Sequence, residues 1–194
     1  MRPLLIIVAS LAAVPFPSFS QQSFARVDVR CLRSDNTVRY RVADTNVAVG
    51  YGAWRPTNPR SIISAQLQIT TNWVPVVFQF SVAKGDTVKL IFRGRYRETE
   101  DLELDPPEWV WVDNVSVTDD TGEELARNGS FEKLHRDGRP ERWGYDGLRM
   151  SSPKPVPAYD GKKCLGVSFK GAAFYEFRPR SNAWYTVRAF FRSE

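Results

Sequence analysis

Apolar residues recur at every second position along most of this chain. No window keeps an apolar stripe at the 3.6-residue period of a helix. That pattern leaves few folds open, because a two-residue period is the period of a strand with one buried face. From Phe24 to Leu32, Phe, Arg, Asp and Arg alternate with Ala, Val, Val and Cys. The spacing predicts further strands over Thr37–Val42, Ser61–Ile69, Val74–Val82, Thr87–Phe92 and Glu108–Val117. Others are predicted over Gly129–Lys133, Cys164–Phe169, Ala173–Phe177 and Trp184–Phe191. Turn signals separate them, among them Ser34-Asp35-Asn36, Pro56-Thr57-Asn58-Pro59, Lys84-Gly85-Asp86 and Asp119-Asp120-Thr121-Gly122. Thr99–Pro107, acidic and ended by proline, and Gly144–Pro157, rich in Pro and Ser, read as solvated loops. Many short strands at close spacing predict an all-β sandwich or jelly roll.

The first twenty residues read differently. A charged start at Arg2 is followed by an apolar run from Leu4 to Val14, broken by Pro15 and Pro17. Ser18 and Ser20 place small residues before a cut at Gln21. This is the layout of a secretory signal peptide, too short for a membrane span. A buried N-terminal helix is the alternative. Residues 21–194 then form the mature chain, of the size of one ordinary domain. The expected location is extracellular or periplasmic, with no membrane association. Cys31 and Cys164 suit that oxidising setting as one disulfide, with two buried free thiols as the alternative. The formal charge of +5 is Arg-rich, scattered and without a basic run, which argues against a nucleic-acid partner.

Catalytic machinery is sparse. His135 is the only histidine, and it sits in a polar stretch with no G-x-S-x-G nucleophile motif in the chain. The supply of His and Cys is too small for a zinc site. Glu98, Glu100, Asp101, Glu103 and Asp105 offer paired carboxylates, but on a loop suited poorly to hold them. A binding module is expected rather than an enzyme. Exposed loop aromatics are the candidate sugar platforms, since a flat ring stacks on the apolar face of a pyranose. Tyr51, Trp54, Trp143 and Tyr145 fit that description.

Several stretches carry a resemblance. Trp109-Val110-Trp111-Val112-Asp113-Asn114-Val115-Ser116-Val117 resembles the closing strand of galactose-binding-like jelly rolls, as in xylan- and glucan-binding modules. Asn128-Gly129-Ser130-Phe131-Glu132 resembles their opening strand, followed by Gly138-Arg139-Pro140-Glu141-Arg142-Trp143. Tyr159–Leu165, Trp184–Phe190 and Thr71–Phe80 are similar to their Gly-Lys, central and Trp-containing strands. The order is reversed relative to that family, where the Asn-Gly-Ser-Phe-Glu strand comes first. One circularly permuted jelly roll over residues 21–194 is the favoured reading. Two tandem half-modules, or a small sandwich over Gln21–Val117 with an appended piece, are the alternatives. The resemblance implies a secreted carbohydrate-binding or cell-surface recognition module with a polysaccharide or glycan as partner. It also implies a structural calcium ion on Asp113, Glu132 and the region Asp160–Lys162. A structural or protein-interaction jelly roll, and a glycan-active hydrolase or lyase on the same sandwich, are the competing functions.

Overall fold

The structure, a computed structural model, describes residues 23–33, 35–42, 47–51, 61–94, 109–146, 152–154, 157–168 and 171–193. The expected signal peptide, Trp54 and the acidic loop Thr99–Pro107 lie outside the described residues. Among the described residues twelve strands run in chain order as β1 (Ser23–Cys31), β2 (Val38–Arg41), β3 (Val47–Tyr51), β4 (Ile62–Ile69), β5 (Val74–Val82) and β6 (Val88–Gly94). They continue as β7 (Val110–Asp119), β8 (Gly144–Asp146), β9 (Ser152–Lys154), β10 (Cys164–Val167), β11 (Ala172–Phe177) and β12 (Trp184–Ser193). The first sheet has the order β3-β4-β1-β6-β11-β8 and the second β2-β5-β12-β7-β10-β9. Every pairing is antiparallel. The result is an all-β sandwich compatible with a jelly roll.

The two-residue period decides which side chains meet between the sheets. In β12, Tyr185, Val187, Ala189, Phe191 and Ser193 are buried and the residues between them are not. Val76, Phe78, Phe80 and Val82 of β5 and Val88, Leu90 and Phe92 of β6 alternate inward in the same way. Burying each such side chain is worth about 1.5–3 kcal/mol. One hydrophobic cluster takes residues from both halves of the chain, from Ala25 through Phe92 and from Val110 through Phe191. Each sheet likewise mixes early and late strands. The N-terminal end of β1 and the C-terminal end of β12 approach one point: Ser23 pairs with Ile69, and the Ser193 N–H donates to the Thr70 carbonyl at 2.8 Å.

Three elements differ from expectation. Val47–Tyr51 is a strand at the edge of the first sheet. Gly144–Asp146 and Ser152–Lys154 are three-residue edge strands inside the expected loop. Such pieces are too short to show a period, and Pro153 is tolerated because an edge strand has one ladder it need not join. Conversely, Gly129–Lys133 is no strand. Asn128 and Phe131 both take a left-handed backbone (φ 57°). The Asn128 side chain then staples the segment that follows: its amide donates to the Lys133 and Glu141 carbonyls, and its oxygen accepts from the Lys133 N–H. Gly129 lies against β7, its carbonyl oxygen accepting the Val115 N–H at 2.9 Å. A Cβ there would fall 1.8 Å from the Val115 oxygen, so only glycine fits. Phe131 is fully buried by this turn.

Candidate functional site: an aromatic and arginine-bearing sheet face

Of the aromatics expected to form a sugar site, the three among the described residues, Tyr51, Trp143 and Tyr145, do not converge. Trp143 is 6% exposed and belongs to the core. It packs on Phe92, Phe131 and Tyr175 with ring centroids 5.0–5.5 Å apart and donates its Nε1–H to the Asn128 carbonyl. It is therefore not a platform; its loop-like sequence context hid a side chain that the Asn128 turn directs inward. Tyr145 is half-buried against the core, and burial pushes its phenol up to about 12. Tyr51 is 54% exposed and meets Tyr40 edge-on. It stands on β3, whereas Tyr145 stands on β8, at the opposite edge of the same sheet.

The expected disulfide is not formed. Cys31 and Cys164 are both free and buried. Cys31 ends β1 opposite Val88, beside Asp86, while Cys164 begins β10 in the other sheet, near Asp113 and Arg192. Sharing one sandwich did not bring them together, because they lie in different layers and at opposite ends of it. Burial pushes each thiol up to about 12.

Asp113 and Glu132 do come to one place, as the resemblance implied, but they face amide hydrogens. Asp113 Oδ2 accepts the N–H groups of Tyr159 and Asp160 at 2.8 and 3.0 Å, and its Oδ1 accepts that of Asn114 at 2.7 Å. Glu132 Oε1 accepts the N–H groups of Lys162 and Lys163 at 2.6 and 2.7 Å, and Lys163 Nζ lies 3.6 Å from Oε2. Carboxylates turned toward N–H donors meet neighbours of the wrong polarity for a cation cage. Among the described residues no group of three or more His, Cys, Asp or Glu could hold a metal. Asp113 Oδ1 and Oδ2 and Glu132 Oε1 are engaged by N–H donors. Together they clamp the loop Tyr159–Lys163. The two carboxyls respond oppositely: burial pushes Asp113 up to about 6 against its three N–H bonds, while the Lys162 N–H holds Glu132 below its usual range.

The clamp builds something the sequence reading missed. Tyr159, 45% exposed, lies flat on Phe190 with ring centroids 3.6 Å apart and planes 13° from parallel. Trp73 abuts it edge-on at 6.2 Å and is itself fixed by an Nε1–H bond to the Pro157 carbonyl. Phe190 points outward from β12, so this stack stands on the outer face of the second sheet.

The strand registers order the rest of that face. Arg41 of β2 is opposite Gln79, Gln79 opposite Thr186, and Thr186 opposite Thr118. The next outward row runs Arg39, Ser81, Trp184, and another runs Val77, Arg188, Ser116. The Arg41 guanidinium lies 3.7 Å over the Trp184 ring, and Arg39 lies 5.9 Å from it. Gln79 donates to the Thr186 hydroxyl at 3.1 Å, and Arg39 to the Asn182 side-chain oxygen at 2.8 Å. Arg192 stands 5.8 Å from the Trp73 ring. Arg188 is exposed and has no hydrogen-bond or ion-pair partner among the described residues. From Trp184 to Phe190 the strand spans about 20 Å. Beyond the Phe190 row the face is closed by Trp111, buried over Gly166, where a Cβ would come 2.5 Å from the indole.

The signal that could have found this site is in β12. Its outward positions, Trp184, Thr186, Arg188, Phe190 and Arg192, alternate with the core residues and are aromatic or cationic in four of five cases. Compared with known proteins, the chain matches no family model, no curated protein and no solved structure.

Proposed function

We propose that this chain is a secreted, non-catalytic carbohydrate-binding or cell-surface recognition domain whose ligand lies on the outer face of the second sheet. The observation that carries the reading is Tyr159: a flat ring, nearly half exposed, backed by Phe190 and held by a loop whose backbone N–H groups are pinned to a buried carboxylate. A platform fixed before the ligand arrives costs little ordering entropy on binding. Gln79 and Thr186, on the same outer face, supply directional donors of the kind that fix a sugar hydroxyl. Export is supported by the apolar N-terminal segment ending in small residues.

The test is a glycan array probed with the full chain and with Tyr159→Ala. Binding to at least one glycan, lost in the variant while its melting temperature stays close to the parent's, supports the reading. Silence across the array refutes it. A protein-binding jelly roll is the second reading. It is favoured by the burial of Trp143 and the wide separation of Tyr51 and Tyr145, which leave the sandwich edge without a cluster of sugar platforms.

A further inference from the structure

The chemistry of the ligand can be read from how Trp184 is used. Its ring is covered by the Arg41 guanidinium at 3.7 Å. An indole face occupied by a cation cannot offer that face to a pyranose. What the pair presents is a guanidinium held flat and pointed along the sheet by its contact with the ring. Arg188, two residues before Phe190 on the outward face of β12, is a second guanidinium; among the described residues no carboxylate lies within ion-pair distance of it.

The carboxylates nearby are otherwise engaged or peripheral. Asp113 is buried beneath the Tyr159 loop. Glu124 accepts the hydroxyl of Ser116, the residue opposite Arg188, and is further engaged by the N–H groups of Val117 and Ala126. Asp160 is the exposed carboxylate of the Tyr159 loop, and Lys162, also exposed, is two residues on. The face is thus a lane about 20 Å long. An open aromatic ring stands at one end, a ring-supported guanidinium at the other, and an unneutralised guanidinium between them.

We propose that this face takes an acidic polysaccharide. A sugar ring lies on Tyr159, and the chain's carboxylate or sulfate groups meet Arg188 and Arg41. This rests on the glycan-binding reading above and narrows it to anionic chains. Guanidinium donates two parallel N–H bonds to a planar carboxylate and to sulfate oxygens alike. The ligand's shared chemistry is therefore anionic oxygen, and uronate and sulfate ester are distinguished by experiment.

The experiment is affinity electrophoresis or calorimetry of the full chain with four polysaccharides: polygalacturonate, dextran sulfate, and neutral xylan and dextran. Each is measured at low and at physiological salt or above. The expected result is binding to an acidic chain about tenfold or more tighter than to the neutral ones, with the gap shrinking as salt rises, since exposed charges are screened. Polygalacturonate binding alone assigns uronate; dextran sulfate binding alone assigns sulfate. Arg188→Gln and Arg41→Gln should each weaken acidic binding severalfold without touching any neutral binding, whereas Tyr159→Ala should weaken both. Equal binding to neutral and acidic chains, or arginine variants indistinguishable from the parent, overturns the anionic proposal and leaves the glycan reading standing. No binding to any of the four, with none on the array, overturns both. Single-stranded DNA bound as tightly, with the same arginine dependence, would show a general polyanion surface and also overturn the proposal.

Discussion

The two sheets carry charge on their outer faces in opposite ways. On the first sheet Asp28 and Lys89 have their charges met within the sheet. Asp28 of β1 is 3% exposed, accepting Arg26 Nε at 2.7 Å and the Ser64 hydroxyl at 2.5 Å. Lys89 of β6 pairs with Glu176 of β11 at 3.1 Å and stands 3.7 Å over the Phe174 ring. Outward apolar positions there, Ile62 and Ile91, are buried as well. On the second sheet Arg41 rests on an aromatic ring, Arg188 has no partner among the described residues, and Tyr159 keeps a face open. Both faces are built by the same alternation. A face whose charges are mutually satisfied has nothing left with which to bind, whereas one that leaves guanidinium groups and a backed ring exposed has directed valence to spare.

That contrast can be broken at several depths, beginning with the core that both faces share. Trp143→Ala should cost about 3–5 kcal/mol, the usual penalty for emptying an aromatic site in a packed interior. Denaturant unfolding measures it, and a loss near zero would return Trp143 to the surface and undo the assignment of the site. On the closed face, Asp28→Ala should cost about 2 kcal/mol by leaving the Arg26 and Ser64 donors without their acceptor, allowing for partial solvation of Arg26. It should leave glycan binding intact. On the open face, Tyr159→Ala should cost about 1 kcal/mol, the scale of its aromatic contacts, and yet abolish binding.

The clamp beneath Tyr159 sharpens the contrast through pH. Asp113 has its folded pKa raised to about 6 from 3.8, so the folded state holds a proton more tightly than the unfolded state. The stability this contributes is complete below about pH 4 and is lost as pH rises through about 6. Glu132 works the other way: its lowered pKa gives stability that is present above its ordinary value near 4.5 and is lost as pH falls below it. Melting curves across that range for the parent, Asp113→Asn and Glu132→Gln should show the first variant flattening the decline toward pH 6 and the second flattening the acid limb. A parent-like profile in both would detach these carboxyls from the loop's stability. Smallest of all, Arg188→Ala should move stability by no more than about 0.5 kcal/mol, as expected for an exposed side chain without partners. A loss matching that of Asp28→Ala would erase the difference between the two faces.

Much of this architecture was legible in the alternation itself. Val74–Val82 is a strand at both of its expected ends, and β1, β4, β6, β7, β10, β11 and β12 lie within a few residues of theirs. Burial of one face per strand is a local property of spacing, so the sequence carries it. The short edge strands and the turn at Asn128 were not legible. The former are too brief for a period, and the latter depends on one amide reaching three backbone groups up to thirteen residues away.

For the site the division is sharper. The sequence by itself determined that Trp184, Arg188 and Phe190 share one face of a strand, because side chains two apart point the same way. The family resemblance pointed to Asp113, Glu132 and the region Asp160–Lys162 as neighbours. Only the tertiary structure decided what the meeting does. Cys31 and Cys164 share a sandwich and still stand apart, Trp143 turns inward, and the two carboxylates grip amide hydrogens and so lay Tyr159 on Phe190. Contacts between strands distant in sequence depend on register, layer and bulge, and one-dimensional spacing encodes none of these.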